Sequence, residues 1–157
     1  MEIIQLQTDG IKNALDLVWE VFEEFEAPDY STEGIEEFRK FISYDSITDQ
    51  FIKGKLIFWG CRDKDELTGV IATRGISHIC MLFVKKEYHR RGIARRLFHT
   101  VEENCKSQDN ISCITVNSSP YAIEVYHRLG FVDTDKEQTV NGIRFTPMSY
   151  SLKIGRG

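Results

Sequence analysis

The chain has 157 residues, 41% of them hydrophobic, and a formal net charge of −4, which suits one globular domain over 1–157 with enough chain for a packed core. No segment is apolar for long enough to span a bilayer, and Met1-Glu2-Ile3-Ile4-Gln5 lacks the basic start of a secretory signal, so a cytoplasmic protein with no membrane partner is expected. The cysteines Cys61, Cys80, Cys105 and Cys113 show no CxxC spacing and read as reduced, mostly buried thiols.

Charge is spread unevenly. No basic residue lies between Lys12 and Arg39, where Asp16, Glu20, Glu23, Glu24, Glu26, Asp29, Glu33, Glu36 and Glu37 are all acidic; from Lys85 to Arg96 the sign reverses. An acidic half facing a basic turn suits a cationic substrate meeting an anionic cofactor, while most of these acids fit the solvated faces of two helices. A nucleic-acid partner is not expected, because the rest of the chain is acidic and no aromatic-interleaved basic surface appears.

In chain order, Ile3 to Leu6 reads as a short strand. Thr8 or Asp9 can cap a helix whose apolar residues Leu15, Val18, Trp19, Phe22 and Phe25 follow helical spacing, ended by Ala27-Pro28-Asp29. Ser31 or Thr32 starts a second helix through Phe38 and Ile42, and a short third helix fits Ile47 to Ile52. Strands Leu56 to Arg62 and Leu67 to Arg74 flank a hairpin signal at Asp63-Lys64-Asp65-Glu66, and Gly75 separates them from an apolar strand, Ile76 to Val84. Next comes a helix with Ala94, Leu97, Phe98, Val101 and Cys105 on one face, then a strand from Ile111 to Val116. Ser118-Ser119-Pro120 opens a further helix that Gly130 terminates. Phe131 returns to strand, Asn141-Gly142 marks a tight turn, and Ile143 to Leu152 closes the chain, with Pro147 implying an edge or a bulge. The order β-α-α-β-β-β-α-β-α-β-β makes an α/β (α+β) mixed sheet with helices on both faces.

The stretch His89-Arg90-Arg91-Gly92-Ile93-Ala94-Arg95-Arg96-Leu97-Phe98 carries the most chemistry. A strand leading through a glycine-containing basic turn into a helix start is a place to bind phosphate. The first N–H groups of a helix have no internal partner, and the helix dipole adds partial positive charge. Gly92 and Ala94 let an anion approach the backbone, and the arginines supply countercharge. His78-x-Cys80 places two potential ligands on one strand face, but without a third they do not make a metal site.

Two segments resemble a known family. Leu82-Phe83-Val84-x-x-x-x-His89-Arg90-Arg91-Gly92-Ile93-Ala94 resembles motif A of the GNAT acyltransferase superfamily, Q/R-x-x-G-x-G/A, with His89 where the family has Gln or Arg. Asn117-Ser118-Ser119-Pro120-Tyr121-Ala122-x-x-x-Tyr126-x-x-Leu129-Gly130-Phe131 resembles its motif B, and the order of elements is similar from end to end.

The resemblance implies a mostly antiparallel twisted sheet of about seven strands, with Leu82 to Val84 splayed from Ile111 to Val116. It implies acetyl-CoA as co-substrate and no metal. The pyrophosphate would lie on Arg90, Arg91, Gly92, Ile93, Ala94 and Arg95, and the pantetheine arm along Leu82, Phe83 and Val84. A cofactor-contacting Asn of the family falls on Ser119 by spacing, with Asn117 two residues earlier. Tyr126 matches a tyrosine near the thioester sulfur, and a phenol of pKa near ~10 can protonate the departing thiolate. His78 stands on the strand where some members place a glutamate base; an imidazole of pKa near ~6.5 suits that work. Glu24 and Glu26 would border the acceptor pocket.

The reaction so implied is direct attack of an amine, on a small molecule or a protein, upon the thioester, with a backbone N–H near Phe83 or Val84 holding the oxyanion. Another acyl-CoA as donor, or a non-catalytic CoA-binding or regulatory domain, stays open beside it. An exposed Trp19 or Trp59 face could support a homodimer.

Overall fold

The computed structural model describes residues 1–152, so the last five of the expected 1–157 domain lie outside the described residues. The elements are β1 (Glu2–Gln5), α1 (Ile11–Val21), α2 (Thr32–Phe41), α3 (Tyr44–Ile52), β2 (Leu56–Asp63), β3 (Glu66–Arg74), β4 (His78–Val84), α4 (Ile93–Lys106), β5 (Cys113–Ser118), α5 (Ile123–Leu129), β6 (Val132–Asp133), β7 (Gln138–Val140) and β8 (Ile143–Ser151). Their eight strands form one sheet in the order β1-β2-β3-β4-β5-β8-β6, with β7 pairing β8. Every pairing is antiparallel except β4 with β5. The mixed, mostly antiparallel sheet is thus present, with one strand more than about seven.

Alternation along the strands divides the core between the two faces. Phe58, Val70, Ala72, Met81 and Phe83 point to α1, α2 and α3, where they meet Leu15, Val18, Phe22 and Phe38. Ile71, Ile79, Ile114 and Val116 point the other way, to Leu97, Phe98 and Val101 of α4 and to Tyr126 and Leu129 of α5. Trp59 is buried in that second layer, and Trp19 is half-buried with the Arg39 guanidinium 4.4 Å above its ring. Neither offers the exposed face expected for a dimer.

Several boundaries differ from the sequence expectation. No side chain caps α1: Gly10 is already helical (φ −94°, ψ −8°), so the single turn Thr8–Gly10 runs straight into the helix and leaves no extended residue for Thr8 or Asp9 to occupy as a cap. Ser31 and Ser43 do cap α2 and α3, accepting from Gly34 N and Ser46 N. Strand β4 starts at His78, after a turn at residues 75–77. Strand β5 runs on to Ser118 because Asn117 and Ser118 still pair with Pro147 and Thr146. Pro120 lies in a turn before α5, and Ser119 Oγ accepts from Ala122 N at 3.3 Å there. Gly130 ends α5 with φ 110°, as expected.

Pro147 is neither on an edge nor in a bulge. Strand β8 is flanked by β5 on one side, and on the other by β7 and then β6. The Pro147 carbonyl accepts from Thr134 N at 2.9 Å on that second side. A residue's N–H and C=O point the same way in a strand, so the missing N–H falls in the gap where β7 has ended and β6 is beginning.

The feature that positions the site is the brevity of the β4–β5 pairing. It comprises only His78 with Thr115 and Ile79 with Val116, after which the strands part. At the same point β4 carries a bulge: Ala72 pairs with Met81 but Thr73 with Ile79, leaving Cys80 as the extra residue. From Met81 to Val84 one flank of β4 is paired with β3, and no strand among the described residues pairs with the other.

The β7–β8 hairpin closes over this opening. Its tip, Asn141 (φ 53°) and Gly142 (φ 80°), needs left-handed backbone at both residues. The tip presses on α2 so closely that a Cβ at Gly34 would fall onto the Gly142 carbonyl. Arg144 adds a tie, donating to both Glu137 carboxylate oxygens and to the Asp29 carbonyl. Gly34→Ala should therefore lower stability by ~1–3 kcal/mol through overpacking, read as a lower urea midpoint at unchanged m. An unchanged midpoint would mean that the hairpin is not held in this contact.

Candidate active site

Beyond Val84 the chain passes through a turn at Lys86–Tyr88 and then Arg90-Arg91-Gly92 into α4. Arg90 (φ 64°) and Gly92 (φ 77°) are both left-handed. Nothing lies within 4 Å of where a Gly92 Cβ would stand, so φ, not crowding, favours glycine there. No side chain caps α4, and its first N–H groups are left as donors at the positive end of a 14-residue helix. His89, which also lines the groove beside this turn, ties the turn to the end of β4, with Nε2 2.7 Å from the Val84 carbonyl oxygen. That groove, of about 490 Å³, runs past Leu82, Phe83 and Val84, past Gly92 to Arg95, and along α5 to Tyr126.

A second cavity, of about 350 Å³, fills the space where β4 and β5 part. Tyr30, Phe38, Phe41 and Phe145 give it aromatic walls, and Glu37, Arg74, His78 and Asn117 give it polar ones. Groove and cavity meet: Glu26, Leu82, Phe83, Ala122 and Tyr126 line both.

Glu26 reaches this junction through a break in helical pitch. Continued α-helix would set Phe25 on the buried face after Leu15, Val18 and Phe22. Instead Phe22–Glu26 forms a π turn, whose extra residue shifts the next side chains around the helix axis. Phe25 becomes half-buried between the rings of His89 and Tyr121, with centroids 5.1 Å from each, and Glu26 takes the buried place. Burial pushes its carboxyl up to about 7, opposed by a hydrogen bond from the Ser119 hydroxyl and assisted by the charge of Asp29. Tyr126 is also buried, and burial first, then the charge of Glu26, holds its phenol well above the ordinary tyrosine range. His78 Nδ1 lies 2.8 Å from Thr115 Oγ1, and burial, then Arg74, lowers its pKa. Burial raises the Cys80 thiol to about 11, which leaves it un-ionised and a poor nucleophile.

A family described as "Acetyltransferase (GNAT) domain" matches residues 26–152. The chain belongs to the GNAT acetyltransferase family. The family's reaction is acetyl-CoA-dependent N-acetylation of an acceptor. Solved structures agree on the fold. A GCN5-related N-acetyltransferase from Rhodopseudomonas palustris is similar at TM-score 0.82 and 21% identity, over 96% of this chain and 95% of that one. A PaiA N-acetyltransferase from Thermoplasma acidophilum, solved with coenzyme A, gives TM-score 0.76 at 21% identity, over 96% and 98%. An acetyltransferase of the GNAT family from Staphylococcus aureus gives 0.73 at 17%, over 97% and 99%. No curated protein matches the sequence.

In this GNAT domain the expected site residues separate into three groups. Leu82, Phe83, Val84, Arg90, Gly92, Ile93, Ala94, Arg95 and Tyr126 line the groove together. Arg91 does not, because its guanidinium stacks 4.9 Å from the Tyr88 ring centroid. Arg95 lines the groove but donates to the Arg128 carbonyl, and Arg96 donates to that of Met1, so the arginines are spread outward as much as toward an anion. Asn117 and Ser119, expected beside the cofactor, line the other cavity, since the β5 ladder continues through Ser118 and carries them past the groove. His78 lines that cavity alone, whereas Glu26 lines both. Glu24 is exposed, paired with Lys86 at 3.3 Å and outside both, because the π turn that brings Glu26 inward turns Glu24 out. Sequence reasoning missed Tyr30, Glu37 and Arg74, and missed the hairpin residues Val140, Asn141 and Ile143 on the cavity wall. Their only sequence signal was the Asn141-Gly142 turn, which does not say where the hairpin docks.

The Glu26 carboxyl titrates near 4.3 in an unfolded chain and at about 7 in this fold. Between those values the folded protein holds a proton that the unfolded one has lost, so stability falls as pH rises through that window and levels above it. Glu26→Gln removes the dependence. Its stability relative to the native protein should rise between about pH 4.5 and pH 7.5 by an amount on the order of 3 kcal/mol at most. Parallel denaturation curves that keep a constant separation across that range would contradict the raised carboxyl.

Proposed function

We propose that this GNAT domain transfers the acetyl group of acetyl-CoA to a primary amine of a small molecule or protein, by direct attack in a ternary complex. The observation that carries the reading is the meeting of groove and cavity at Glu26, Leu82, Phe83, Ala122 and Tyr126. One substrate can reach that junction along β4 while another reaches it from the aromatic cavity.

The groove suits the donor. Free N–H groups of Ile93, Ala94 and Arg95, backed by Arg90, suit a pyrophosphate. The strand-free flank at Leu82, Phe83 and Val84 suits the amides of a pantetheine arm, which can hydrogen-bond there like an added strand up to the Val84 carbonyl, which His89 already occupies. A backbone N–H near Phe83 or Val84 holds the oxyanion as the amine attacks. Tyr126, protonated at any working pH, gives its proton to the departing thiolate. The residues that face the amine are those of the cavity, with Glu37, His78 and Glu26 as its ionisable acceptors of hydrogen bonds.

Acetyl-CoA at about 100 times its Kd should stabilise the folded protein by ~2.7 kcal/mol, seen as a raised Tm. CoA thiol release across an amine panel then separates an enzyme from a binder, and propionyl-CoA in a parallel arm separates acetyl from longer acyl donors. Tyr126→Phe should lower kcat by ~10²–10⁴-fold with the acetyl-CoA shift retained. Full activity in that variant would remove Tyr126 from the chemistry, and release no faster than hydrolysis with every amine would leave a CoA-binding domain.

A further inference from the structure

The geometry points to Glu26, not His78, as the group that takes the proton shed by the acceptor amine, with the π turn at Phe22–Glu26 setting its carboxylate at the junction. This rests on the amine-acetylating reading above. Of the five residues lining both groove and cavity, Leu82, Phe83 and Ala122 carry no ionisable group, which leaves Glu26 and Tyr126. His78 and Glu37 line only the cavity. His78 lies four residues before Leu82 on β4, roughly 13 Å at strand rise, and Nδ1 is engaged with Thr115. A base must reach the nitrogen while that nitrogen reaches the carbonyl, so it belongs where the two cavities join.

The surroundings of Glu26 are consistent with that duty. Asp29 and Tyr30 face it from the following turn, Ser119 and Tyr121 from the loop before α5, and Tyr126 from α5 itself; Cys80 of β4 lies against Tyr126. None of these is a cation. The nearby Lys86 is taken by Glu24, and Arg90 acts on Tyr121 at the groove side. Arg74 stands on the cavity wall, where it acts on His78 and Cys80, and Arg144 acts on Tyr30. An ammonium that passes Arg74 and Glu37 meets, at the junction, one buried carboxylate on which no cation among the described residues acts.

The protons balance. The ammonium gives one proton to Glu26, and the free amine attacks the carbonyl carbon. The C–N bond forms, the C–S bond breaks, and the thiolate takes the Tyr126 proton. The phenolate then takes the second proton from nitrogen, leaving the amide with one. Glu26 releases its proton to solvent. The two groups are coupled in a useful direction, because a neutral Glu26 no longer opposes ionisation of Tyr126.

The test uses the native protein, Glu26→Gln and His78→Gln, each with saturating acetyl-CoA and the fastest amine of the panel, followed by thiol release across about pH 5.5 to 9.5. The native kcat/KM for the amine should show an acid limb near pH 7 in addition to the limb from the amine's own titration. Glu26→Gln should lose about 100-fold in kcat together with that limb, while its Tm shift with acetyl-CoA matches the native one and shows it folded and loaded. His78→Gln should keep the limb. The inference is overturned by a Glu26→Gln enzyme within about threefold of native kcat or with its acid limb intact. A raised KM at unchanged kcat also overturns it, since that assigns Glu26 to binding alone. Absence of native turnover with every amine is a different result and overturns the acetylation reading itself.

Discussion

Strands β4 and β5 stay together for two residue pairs and then separate, and the candidate site depends on that separation. The pair is parallel, so it requires a crossover, and α4 supplies it on one face of the sheet. Buried backbone N–H and C=O groups must find partners. A strand in the middle of a sheet with one flank unpaired is therefore an edge held inside the molecule. The bulge at Cys80 coincides with the parting and sets both Cys80 and Met81 toward the α1 side. The Gly92 turn lies at the end of the same strand, so helix terminus and free flank form one continuous surface. The cavity is the other half of the same gap.

The second constraint is local and costs stability. A carboxyl group in the place where a helix would seat a phenylalanine is unfavourable to bury in ionised form, and no cation among the described residues neutralises it. Of the groups around it, only Ser119 donates to it. A π turn at that place also breaks an otherwise regular apolar stripe. Departures of this kind from a well-formed helix concentrate at functional sites, where reactivity outweighs packing.

Much of the fold could be read from the residues, for identifiable reasons. Leu97, Phe98, Val101 and Cys105 repeat at helical spacing and all are buried in α4; Asn141-Gly142 demands a turn that few other pairs can make; Gly130 stands where a left-handed residue closes α5. Each is a local signal with a local cause. The groove beside β4 and the start of α4 was legible for the same reason, being built largely of backbone whose conformation Gly92 reports. Arg91 does not line that groove, and sequence cannot say that a guanidinium will stack on Tyr88 instead. That Asn117 and Ser119 line the cavity and not the groove was not legible, because the length of the β5–β8 ladder is a tertiary matter. Glu26 and Phe25 are neighbours that compete for one buried place, and helical periodicity names the wrong one whenever the helix gains a residue.

The aromatic cavity lies beyond such reading because no single segment makes it. Tyr30 comes after the π turn, Phe38 and Phe41 come from α2, Arg74 from β3, His78 from β4, Asn117 from β5 and Phe145 from β8. These positions span most of the chain, and only the folded sheet brings them together. They are not independent once assembled. Gly34 on α2 and Gly142 at the hairpin tip exclude any side chain at their contact, and Arg144 ties β8 to the carbonyl of Asp29, three residues beyond Glu26. Displacement of the hairpin to admit a larger acceptor would thus pull on the segment that holds Glu26. Hairpin, cavity wall and Glu26 share one mechanical frame, and the groove along β4 and α4 touches that frame at Glu26.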